Sequence, residues 1–456
     1  MRWQKNKWTE RRVLLVFPRD PGTIVANDPV FPFPFLGLTQ VAANFPPSYH
    51  VRIVDESIKS LRGKEDADLV LITTLTSTIK RAYKLADAFR KRGVPVILGG
   101  PHATVLPDEA GKHADSVVIG EADTILPTLL ADFERGKLAP RYLCESTPDL
   151  DAIPRPAVDL LGWRHRLFLS AIQTSRGCPN NCDFCSVPAT FGRRLRLKSL
   201  QTIEEELRTY SRFGFRYLFV VDDNFTANKE RAMAILELFR HYGFKWMGFS
   251  TLSVVEDTEF LKVLHDSDCV SLFIGFESLH RQDIYRKNKK YADPDAVSAA
   301  IKEIHDSGIG IQGSFIFGFD HDTPEVFQEV VHFIQQNHIE IPNVNILTPF
   351  PGTELYSNIA GENRILHHDW SRYDMNHVVF EPRGMTADQL QQGFAWALKY
   401  LAAPTSILKR LSMKRKHYGY FLMANFALHR SHTKLAGQLW NRSVQHAFEE
   451  EGLCPC

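Results

Sequence analysis

The stretch SRGCPNNCDFCSV, at residues 175–187, places Cys178, Cys182 and Cys185 within eight positions of one another. A structural zinc site needs four ligands, commonly as two separated pairs, and no fourth cysteine lies near these three. A disulfide framework needs an even number of cysteines in a short secreted chain. Three thiolates can instead hold three irons of a 4Fe–4S cluster and leave one iron open, and a metal needs an open position to bind substrate.

Composition describes a soluble protein of two or three domains. The chain has 456 residues, 44% of them hydrophobic, and a net charge of +1, so nothing indicates a nucleic-acid partner. We find no signal peptide at the N-terminus and no run that approaches the roughly 18 apolar residues of a membrane span. We therefore expect a cytoplasmic protein without a transmembrane segment, in which clustered cysteines stay reduced and bind metal or take part in catalysis.

The first part of the chain has the pattern of an α/β domain. Short Val/Ile/Leu-rich runs, typical of strands buried on both faces, alternate with helical patterns such as residues 77–93. The predicted strands are 12–17, 51–57, 67–75, 94–100 and 114–121. This alternation predicts a doubly wound, Rossmann-like domain over residues 1–143, with ligands at the carboxyl ends of its strands.

A second α/β series follows a proline-containing linker at 144–166. Its predicted strands are 168–175, 215–223, 244–251, 270–278, 310–319 and 344–349. Six strands are too few for the eight-stranded (β/α) barrel, so we predict an open, partial (β/α)6 barrel over residues 167–383. The cysteines follow its first strand and therefore lie at the carboxyl end, where such barrels place their chemistry. Residues 384–456 predict an α-helical C-terminal extension, whose basic amphipathic part packs on the barrel or binds a membrane surface or a partner.

The cysteine stretch, with a strand before it and five after it, resembles the Cys-x-x-x-Cys-x-x-Cys signature of the radical S-adenosylmethionine (SAM) superfamily. The resemblance implies an enzyme in which Cys178, Cys182 and Cys185 hold a 4Fe–4S cluster. It also implies that SAM binds the open iron and is cleaved by one electron, usually to methionine and a 5′-deoxyadenosyl radical. The electron comes from a donor such as flavodoxin or ferredoxin. A zinc knuckle would need a fourth ligand, and the nearest histidine, His165, precedes the strand.

The same resemblance assigns SAM contacts to other strand ends. Phe184, the aromatic residue before the third cysteine, is expected to lie against the adenine. Asp222 and Asp223 end the second strand, where relatives often contact the SAM amino group; the alternative is a pair of helix-capping residues. Ser250 is expected near the ribose or carboxylate of SAM. Glu277 lies on an apolar strand and needs a partner, such as the ribose hydroxyls or an arginine.

Two later strand ends also resemble the family. The segment GSFIFGFD, at 313–320, is similar to the strand-five segment that touches adenine. The segment LTPFPGTELY, at 347–356, is similar to the strand-six turn of many relatives. Its Pro-Gly pair also suits an ordinary turn, so ligand contact there remains open.

The first domain resembles the cobalamin-binding domain that is fused ahead of many radical SAM enzymes. The similar stretches are ITTLTST (72–78), LGGPHAT (98–104) and VIGEAD (118–123). Gly99 and Gly100 would let the backbone approach the cofactor closely, and His102 either contacts the cofactor's tail or is a plain loop histidine. The chain lacks the Asp-x-His-x-x-Gly stretch that supplies a histidine to cobalt. We therefore expect that cobalamin, if this domain holds it, has no histidine ligand from this domain.

These resemblances lead to a first hypothesis and an alternative. The segment from residue 369 onward resembles the extension of a subgroup that includes hopanoid methylases, and the fused domain favours methyl transfer from SAM by way of cobalamin to a small-molecule substrate. The chain ends GLCPC, and Cys454 and Cys456 form either an unstructured tail or a thiol pair for a soft acceptor such as As(III). The second possibility resembles the arsinothricin-pathway enzyme, which transfers the 3-amino-3-carboxypropyl group of SAM without cobalamin. A cluster- or corrinoid-binding sensor is the non-enzymatic alternative.

Overall fold

The computed structural model describes residues 11–19, 36–162, 169–180, 182–280, 293–412 and 416–440. Cys454, Cys456 and His165 lie outside the described residues, so the structure does not test the predictions made for them. In the part of the chain that is described, no helix is both long enough and apolar enough to cross a bilayer.

The first unit is built on a six-stranded parallel sheet. Its strands are β1 (Arg11–Phe17), β2 (Tyr49–Asp55), β3 (Leu69–Thr73), β4 (Val96–Gly99), β5 (Ser116–Ile119) and β6 (Arg141–Leu143). Their order is β2-β1-β3-β4-β5-β6, so the winding reverses between β1 and β3. A doubly wound sheet binds its ligand above the carboxyl ends of the strands at this switch point. The predicted Rossmann-like fold is confirmed, and β6 is an additional edge strand.

Helices cover both faces of this sheet. They are α1 (Leu36–Ala42), α2 (Ile79–Arg90), α3 (Pro101–Val105), α4 (Pro107–Ala110) and α5 (Leu126–Glu134). Helices α1 and α5 pack with Val13 and Leu15, whereas α2, α3 and α4 pack with Leu14 and Val16 on the other face. Because successive side chains of β1 enter two different cores, the strand is apolar throughout.

The second unit is a six-stranded, all-parallel sheet with a small hairpin at its edge. The sheet strands are β7 (Ser170–Ile172), β10 (Tyr217–Val220), β11 (Lys245–Ser250), β12 (Cys269–Glu277), β13 (Gly310–Phe317) and β14 (Ile341–Ile346). The antiparallel hairpin strands are β8 (Ser175–Arg176) and β9 (Arg196–Leu197). The order β14-β13-β12-β11-β10-β7 follows the chain, which confirms the predicted open barrel of six strands.

Helices connect successive barrel strands and form the outer layer. They are α6 (Val187–Phe191), α7 (Leu200–Arg212), α8 (Lys229–His241), α9 (Thr258–Asp266), α10 (Pro294–Asp306), α11 (Val326–Gln336) and α12 (Glu354–Gly361). Side chains of Ser199, Asn228 and Asp257 accept backbone hydrogen bonds at the starts of α7, α8 and α9. These caps satisfy amide groups that have no partner within the helix, so each helix begins at a fixed residue after its strand.

The segment that follows α12 returns to the first domain. Trp370, Tyr373 and Val379 are buried in the core formed by α2, α3 and α4. The Trp370 indole donates a hydrogen bond of 3.0 Å to Glu109 Oε2, at the end of α4. The predicted boundaries place these residues in the barrel, because local pattern alone does not show that a segment packs against a sheet so distant in sequence.

The predicted linker is also packed rather than free. Leu150, Val158 and Leu161 are buried, and the last two lie in the barrel core. The Ala157 amide donates a 3.0 Å hydrogen bond to the Thr39 carbonyl of α1. The connection between the two units is therefore fixed to both of them over the residues that are described.

The C-terminal extension consists of α13 (Ala387–Ala402), α14 (Pro404–Arg410) and α15 (Tyr418–Leu439). Helix α15 lies across the amino ends of the barrel strands: its Phe421 ring fills the space beside Gly310, the first residue of β13. A Cβ added at Gly310 would lie 2.2 Å from this ring. Tyr420 donates a 3.3 Å hydrogen bond to Met247 Sδ inside the barrel. Helix α15 therefore closes the end of the barrel opposite the cysteine stretch.

Replacing Phe421 by alanine should lower the free energy of unfolding by about 3 to 5 kcal/mol, the usual result of emptying a buried aromatic site. The matched control is Phe426→Ala on the same helix, because that ring is 63% exposed. The control should change stability by less than about 0.5 kcal/mol. Denaturant titration followed by circular dichroism measures both variants, and equal losses would contradict the closing role of Phe421.

Candidate functional site

The three clustered cysteines lie in a loop whose base is the β8–β9 hairpin. The loop begins at Gly177, which has a φ of +93°. A Cβ added there would lie 2.5 Å from the carbonyl oxygen of Arg194 on the returning strand of the loop. Only glycine satisfies both the left-handed backbone and this close approach. The loop, named here the cluster loop (residues 177–180 and 182–195), therefore leaves β8 in a single direction.

The three thiols of the cluster loop are free and influence one another. Cys178 and Cys185 are half-buried, and Cys182 is exposed. Packing around the thiol raises the pKa of Cys182 to about 11, and Cys185, Cys178 and Glu277 add to the effect. Burial also raises the pKa of Cys178 and of Cys185, with further contributions from Asp223. The thiols thus share one electrostatic environment, and metal binding would release their protons.

The three thiols of the cluster loop are soft donors, the type that iron–sulfur clusters take. Among the described residues, no three His, Cys, Asp or Glu side chains converge closely enough to hold one metal ion. In an iron–sulfur cluster each cysteine binds its own iron, so the sulfurs need not converge on a point. The loop therefore offers three soft ligands, one for each of three irons of a cluster.

The two aspartates after β10 have different environments. Asp222 is buried and accepts hydrogen bonds from Thr174 N (2.6 Å), Thr174 Oγ1 (2.5 Å) and Ser175 Oγ (2.6 Å). Burial raises the pKa of Asp222, and these hydrogen bonds oppose the rise. Asp222 therefore anchors the turn that leads into the cluster loop, and it is not a helix cap.

Asp223 instead lies beside Gly177, the first residue of the cluster loop. Burial raises its pKa, the charge of Asp222 adds to this, and the amide of Gly177 donates to it. Its charge acts on both Cys178 and Cys185. The helical turn that follows begins after Asn224, so neither aspartate caps it as the alternative interpretation proposed.

Glu277 ends β12 in a strained backbone conformation. Its φ is +57°, and the pairing of β12 with β13 shifts register between Gly275 and Glu277. A Cβ added at Gly275 would lie 2.3 Å from Glu277 Oε1, so the carboxylate folds back over the glycine. Ser314 Oγ lies 3.5 Å from Glu277 Oε2, and the charge of Glu277 acts on Cys182 and Cys185. Such strain is found where surrounding structure fixes a side chain for function.

Aromatic rings line the side of the site next to Glu277. The rings of Phe184 and Phe319 meet edge to face, with centroids 6.2 Å apart, and Phe319 stacks on His321 at 5.7 Å. Phe319 belongs to the strand-five segment that resembled the family. His321 Nε2 lies 3.2 Å from Ser278 Oγ, directly after β12. The sequence pattern did not single out His321, although its place after β13 was a signal that could have found it.

Ser250, the last residue of β11, is buried at the same end of the barrel. Its Oγ lies 2.8 Å from Thr226 Oγ1 and also donates to the Thr251 carbonyl. The structure thus gives Ser250 protein partners. A contact between Ser250 and a ligand stays a prediction.

In the first domain, Gly99 ends β4 at the carboxyl edge of the sheet, and Gly100 follows it directly before α3. Gly100 has a φ of +97°, and a Cβ there would lie 2.8 Å from Thr73 Oγ1 and from Thr74 N. Internal packing therefore accounts for this glycine. Leu75, at the end of β3 beside the switch point, is 37% exposed, which fits a ligand with an apolar face.

His102 is fully buried at the start of α3. Its ring nitrogens lie 3.3 Å from Thr76 Oγ1 and 3.5 Å from Glu109 Oε1, and its ring meets Trp370 edge to face. Burial lowers the pKa of His102, which Glu109 partly offsets. These contacts favour the interpretation as a structural histidine, and they agree with a cofactor that takes no ligand from it.

The cluster loop also contacts the first domain. Arg176, just before the loop, pairs with Glu121 and with Asp123 (3.0 Å), which follow β5. Arg196, just after the loop, lies 2.5 Å from Glu121 Oε1. At a second point, a Cβ added to Gly352 in the strand-six turn would meet Val105 Cγ1 at 2.7 Å. The two units therefore meet at the cluster loop, with the carboxyl ends of both sheets next to it.

Two family profiles match the chain. The Radical SAM superfamily profile matches residues 172–334, and the B12 binding domain profile matches residues 23–130. These ranges cover the cluster loop, the barrel strands β10 to β13 and most of the first domain. The family resemblance of both units is confirmed.

Curated relatives match over most of the chain. Bacteriochlorophyllide d C-12(1)-methyltransferase of Chlorobaculum tepidum is 30% identical over 446 residues, which are 96% of this chain and 95% of that protein. Hopanoid C-2 methylase of Rhodopseudomonas palustris is 28% identical and covers 90% of this chain and 80% of its own length. Among solved structures, the radical SAM methyltransferase TsrM of Kitasatospora setae, with cobalamin and a [4Fe–4S] cluster bound, has a TM-score of 0.67 at 15% identity. It covers 93% of this chain and all of that one, so the fold is shared throughout.

Proposed function

This chain belongs to the radical SAM superfamily and carries an N-terminal B12-binding domain, and we propose that it methylates an unactivated carbon of a large apolar substrate. The methyl group comes from SAM and passes by way of cobalamin. The observation that carries this proposal is the match of both units, in one chain, to a methyltransferase over 95% of its length.

The relatives narrow the substrate class. One is named for methylating a bacteriochlorophyllide and another for methylating a hopanoid, and both names describe large, mostly apolar ring systems. These names support a fused-ring or macrocyclic substrate of low polarity.

Residues of the barrel would hold the cluster and SAM. Cys178, Cys182 and Cys185 would bind three irons, and the open iron would supply the electron that cleaves SAM. Asp223 and Glu277 are the carboxylates whose charges act on the thiols, so we assign them to the amino group and the ribose hydroxyls of SAM. Phe184, held by Phe319, would lie against the adenine.

Residues at the switch point of the first domain would hold cobalamin, which when bound supplies a carrier for the methyl group. Leu75 would face the macrocycle, and the turn at Gly99 and Gly100 would border it. Because His102 is buried against Glu109 and Thr76, it would not reach the cobalt. The residues of the first domain therefore fit a cobalamin that takes no histidine ligand from this domain.

The reaction has a defined product set. One SAM donates its methyl group and becomes S-adenosylhomocysteine. A second SAM takes up one electron and yields methionine and, after removing a hydrogen atom from the substrate, 5′-deoxyadenosine. The methyl group replaces that hydrogen. Each turnover needs two electrons. One would cleave the second SAM, and the other would return cobalamin, after transfer of its methyl group to a substrate radical, to the state that accepts a methyl group from SAM. Both electrons are proposed to come from a reduced flavodoxin or ferredoxin in the cytoplasm.

The test is an anaerobic assay of the reconstituted protein with hydroxocobalamin, SAM and a chemical reductant, with nucleosides identified by mass spectrometry. We expect both 5′-deoxyadenosine and S-adenosylhomocysteine. Methylthioadenosine in their place would contradict the proposal and favour transfer of the aminocarboxypropyl group. That alternative relied on Cys454 and Cys456, and no comparison supports it.

Replacing Glu277 by alanine should raise the KM for SAM at least about tenfold, because a charged or charge-assisted hydrogen bond contributes roughly 1.5 to 3 kcal/mol. Iron content should stay at the wild-type level. The control is Glu329→Ala, whose carboxylate lies on α11 and contacts His280 rather than the thiols. An unchanged KM in the Glu277 variant would remove this residue from the SAM site.

A further inference from the structure

We propose that a buried ion cluster of Glu121, Asp123, Arg176 and Arg196 is a positioning device that fixes the cluster loop against the B12-binding domain. The inference rests on the proposed function, because it concerns two cofactor sites that must work together. None of the four is a catalytic residue. They are positioning residues whose effect on the reaction passes through the cluster loop.

The ion cluster joins the two units at the place where each carries its site. Glu121 and Asp123 follow β5, at the carboxyl edge of the first sheet, and Arg176 lies two residues before Cys178. Arg176 Nη1 contacts both carboxylates, and Arg176 Nε also donates to Gln173 Oε1 at 3.0 Å. Side chains of all four are at most 10% exposed. Two negative and two positive charges therefore balance in a largely buried place.

Its geometry specifies an angle as well as a distance. Arg196 reaches Glu121 with both Nη atoms, at 3.2 Å and 2.5 Å, while Glu121 also accepts from Arg176. A planar guanidinium paired in this way restricts the orientation of its partner, which a lysine would not do. Arg176 and Arg196 stand at the two ends of the cluster loop, as the paired residues of the β8–β9 hairpin. One carboxylate of the first domain thus holds both ends of the loop.

Burial of four charges is better suited to specificity than to stability. Buried ion pairs often contribute no more to stability than apolar residues of the same volume, whereas removal of one partner leaves an uncompensated charge. An apolar junction between the units would tolerate sliding, because apolar contacts have no direction. The paired carboxylates and guanidinium groups permit one arrangement only.

A second contact holds the same loop from the other side. Gly352, in the strand-six turn, lies between Val105 of α3 and Ala189 of α6, with Cβ distances of 2.7 Å and 3.7 Å for an added methyl group. The amide of Leu355 donates to the Asp183 carbonyl at 3.0 Å, within the cluster loop. Because the loop is held at both points, movement of the first domain would be transmitted to the cysteines.

The proposed device predicts a measurable coupling between the domains. Hydroxocobalamin added to protein without a cluster should slow amide hydrogen exchange in the first domain and also in residues 182–198. The Glu121→Gln variant keeps the shape of the side chain and removes its charge. In this variant hydroxocobalamin should still slow amide exchange in the first domain. Exchange in residues 182–198 should be faster than in the wild type by on the order of tenfold and should no longer respond to hydroxocobalamin.

The matched control is Glu206→Gln. Glu206 forms an equally buried pair with Lys198, 2.5 Å away, beside the same hairpin but entirely within the barrel. Loss of the Glu206 charge should destabilise the barrel while leaving the response of residues 182–198 to hydroxocobalamin intact. If the Glu121 variant does not fold, Asp123→Asn is the milder variant, because Glu121 still pairs with Arg176.

Two results separate this inference from the proposed function. If hydroxocobalamin slows exchange in residues 182–198 of the Glu121→Gln and Asp123→Asn variants as strongly as in the wild type, the positioning role is overturned. Absence of any protection by hydroxocobalamin in the wild-type first domain would overturn the cobalamin part of the proposed function. In that case the exchange rates of residues 182–198 in the variants without hydroxocobalamin still decide the inference. Rates in Glu121→Gln equal to the wild-type rates would overturn it. Rates that are faster in Glu121→Gln than in Glu206→Gln would support it.

Discussion

Replacing Cys182 by alanine should remove the cluster absorbance and lower SAM cleavage by more than about 100-fold. Replacing a residue that only hydrogen-bonds to a metal ligand lowers metal affinity or activity by up to about 100-fold. Cys182 is assigned as a ligand itself, so its replacement should have a larger effect. The assignment rests on a shared electrostatic environment of three thiols in one loop and on the match of the Radical SAM profile. Iron and sulfide analysis, together with 5′-deoxyadenosine formation, measures the loss.

The control for this prediction is Cys144→Ala. Cys144 is a free cysteine that contacts Thr124 and the Ser146 carbonyl, far in sequence from the cluster loop. Its replacement should leave iron content and SAM cleavage unchanged. A Cys182 variant that still holds four irons per chain would refute the assignment of the loop as the cluster site.

The cluster loop was predictable from sequence because its chemistry is local. Three cysteines, a glycine and a strand occupy adjacent positions, and each constrains the same short segment. Gly177 shows the physical reason: its left-handed backbone and its contact with the Arg194 carbonyl leave no room for a side chain. The strands were predictable for a related reason, since parallel strands buried on both faces need apolar residues at every position.

The junction between the units was not predictable in this way. Arg176 and Glu121 are 55 residues apart, and neither has a local pattern that shows its partner. The same holds for Trp370, which is 261 residues from Glu109. Charged or aromatic residues at such positions also suit an exposed surface, and only the packing of two finished domains distinguishes the cases.

Asp222 and Asp223 show a further limit of prediction from sequence alone. The sequence treats Asp222 and Asp223 as equivalent candidates, because both end the same strand. Strand β10 ends at Val220, before both aspartates, so the turn that follows the strand decides which of them approaches the cysteines. Strand ends are the least certain part of a sequence-based prediction.

Replacing Asp222 by alanine should therefore destabilise the barrel, and replacing Asp223 should not. The Asp222 variant leaves the buried donors of Thr174 and Ser175 without an acceptor, at a cost of roughly 3 kcal/mol or more. For a unit of this size that corresponds to a fall in melting temperature of roughly 6 to 12 °C, and iron incorporation should fall with it. Thermal unfolding of the cluster-free protein, followed by circular dichroism, measures the effect.

The Asp223 variant provides the matched comparison, because it changes the neighbouring residue to the same side chain. Its melting temperature should stay within a few degrees of the wild type, at roughly 1 kcal/mol or less. The KM for SAM should rise by about tenfold or more, since the carboxylate whose charge acts on the thiols is lost. The reverse pattern, with a stable Asp222 variant and an unstable Asp223 variant, would exchange the two roles. Equal effects in both variants would mean that the strand end acts as one unit and that the division seen in the hydrogen bonds has no functional counterpart.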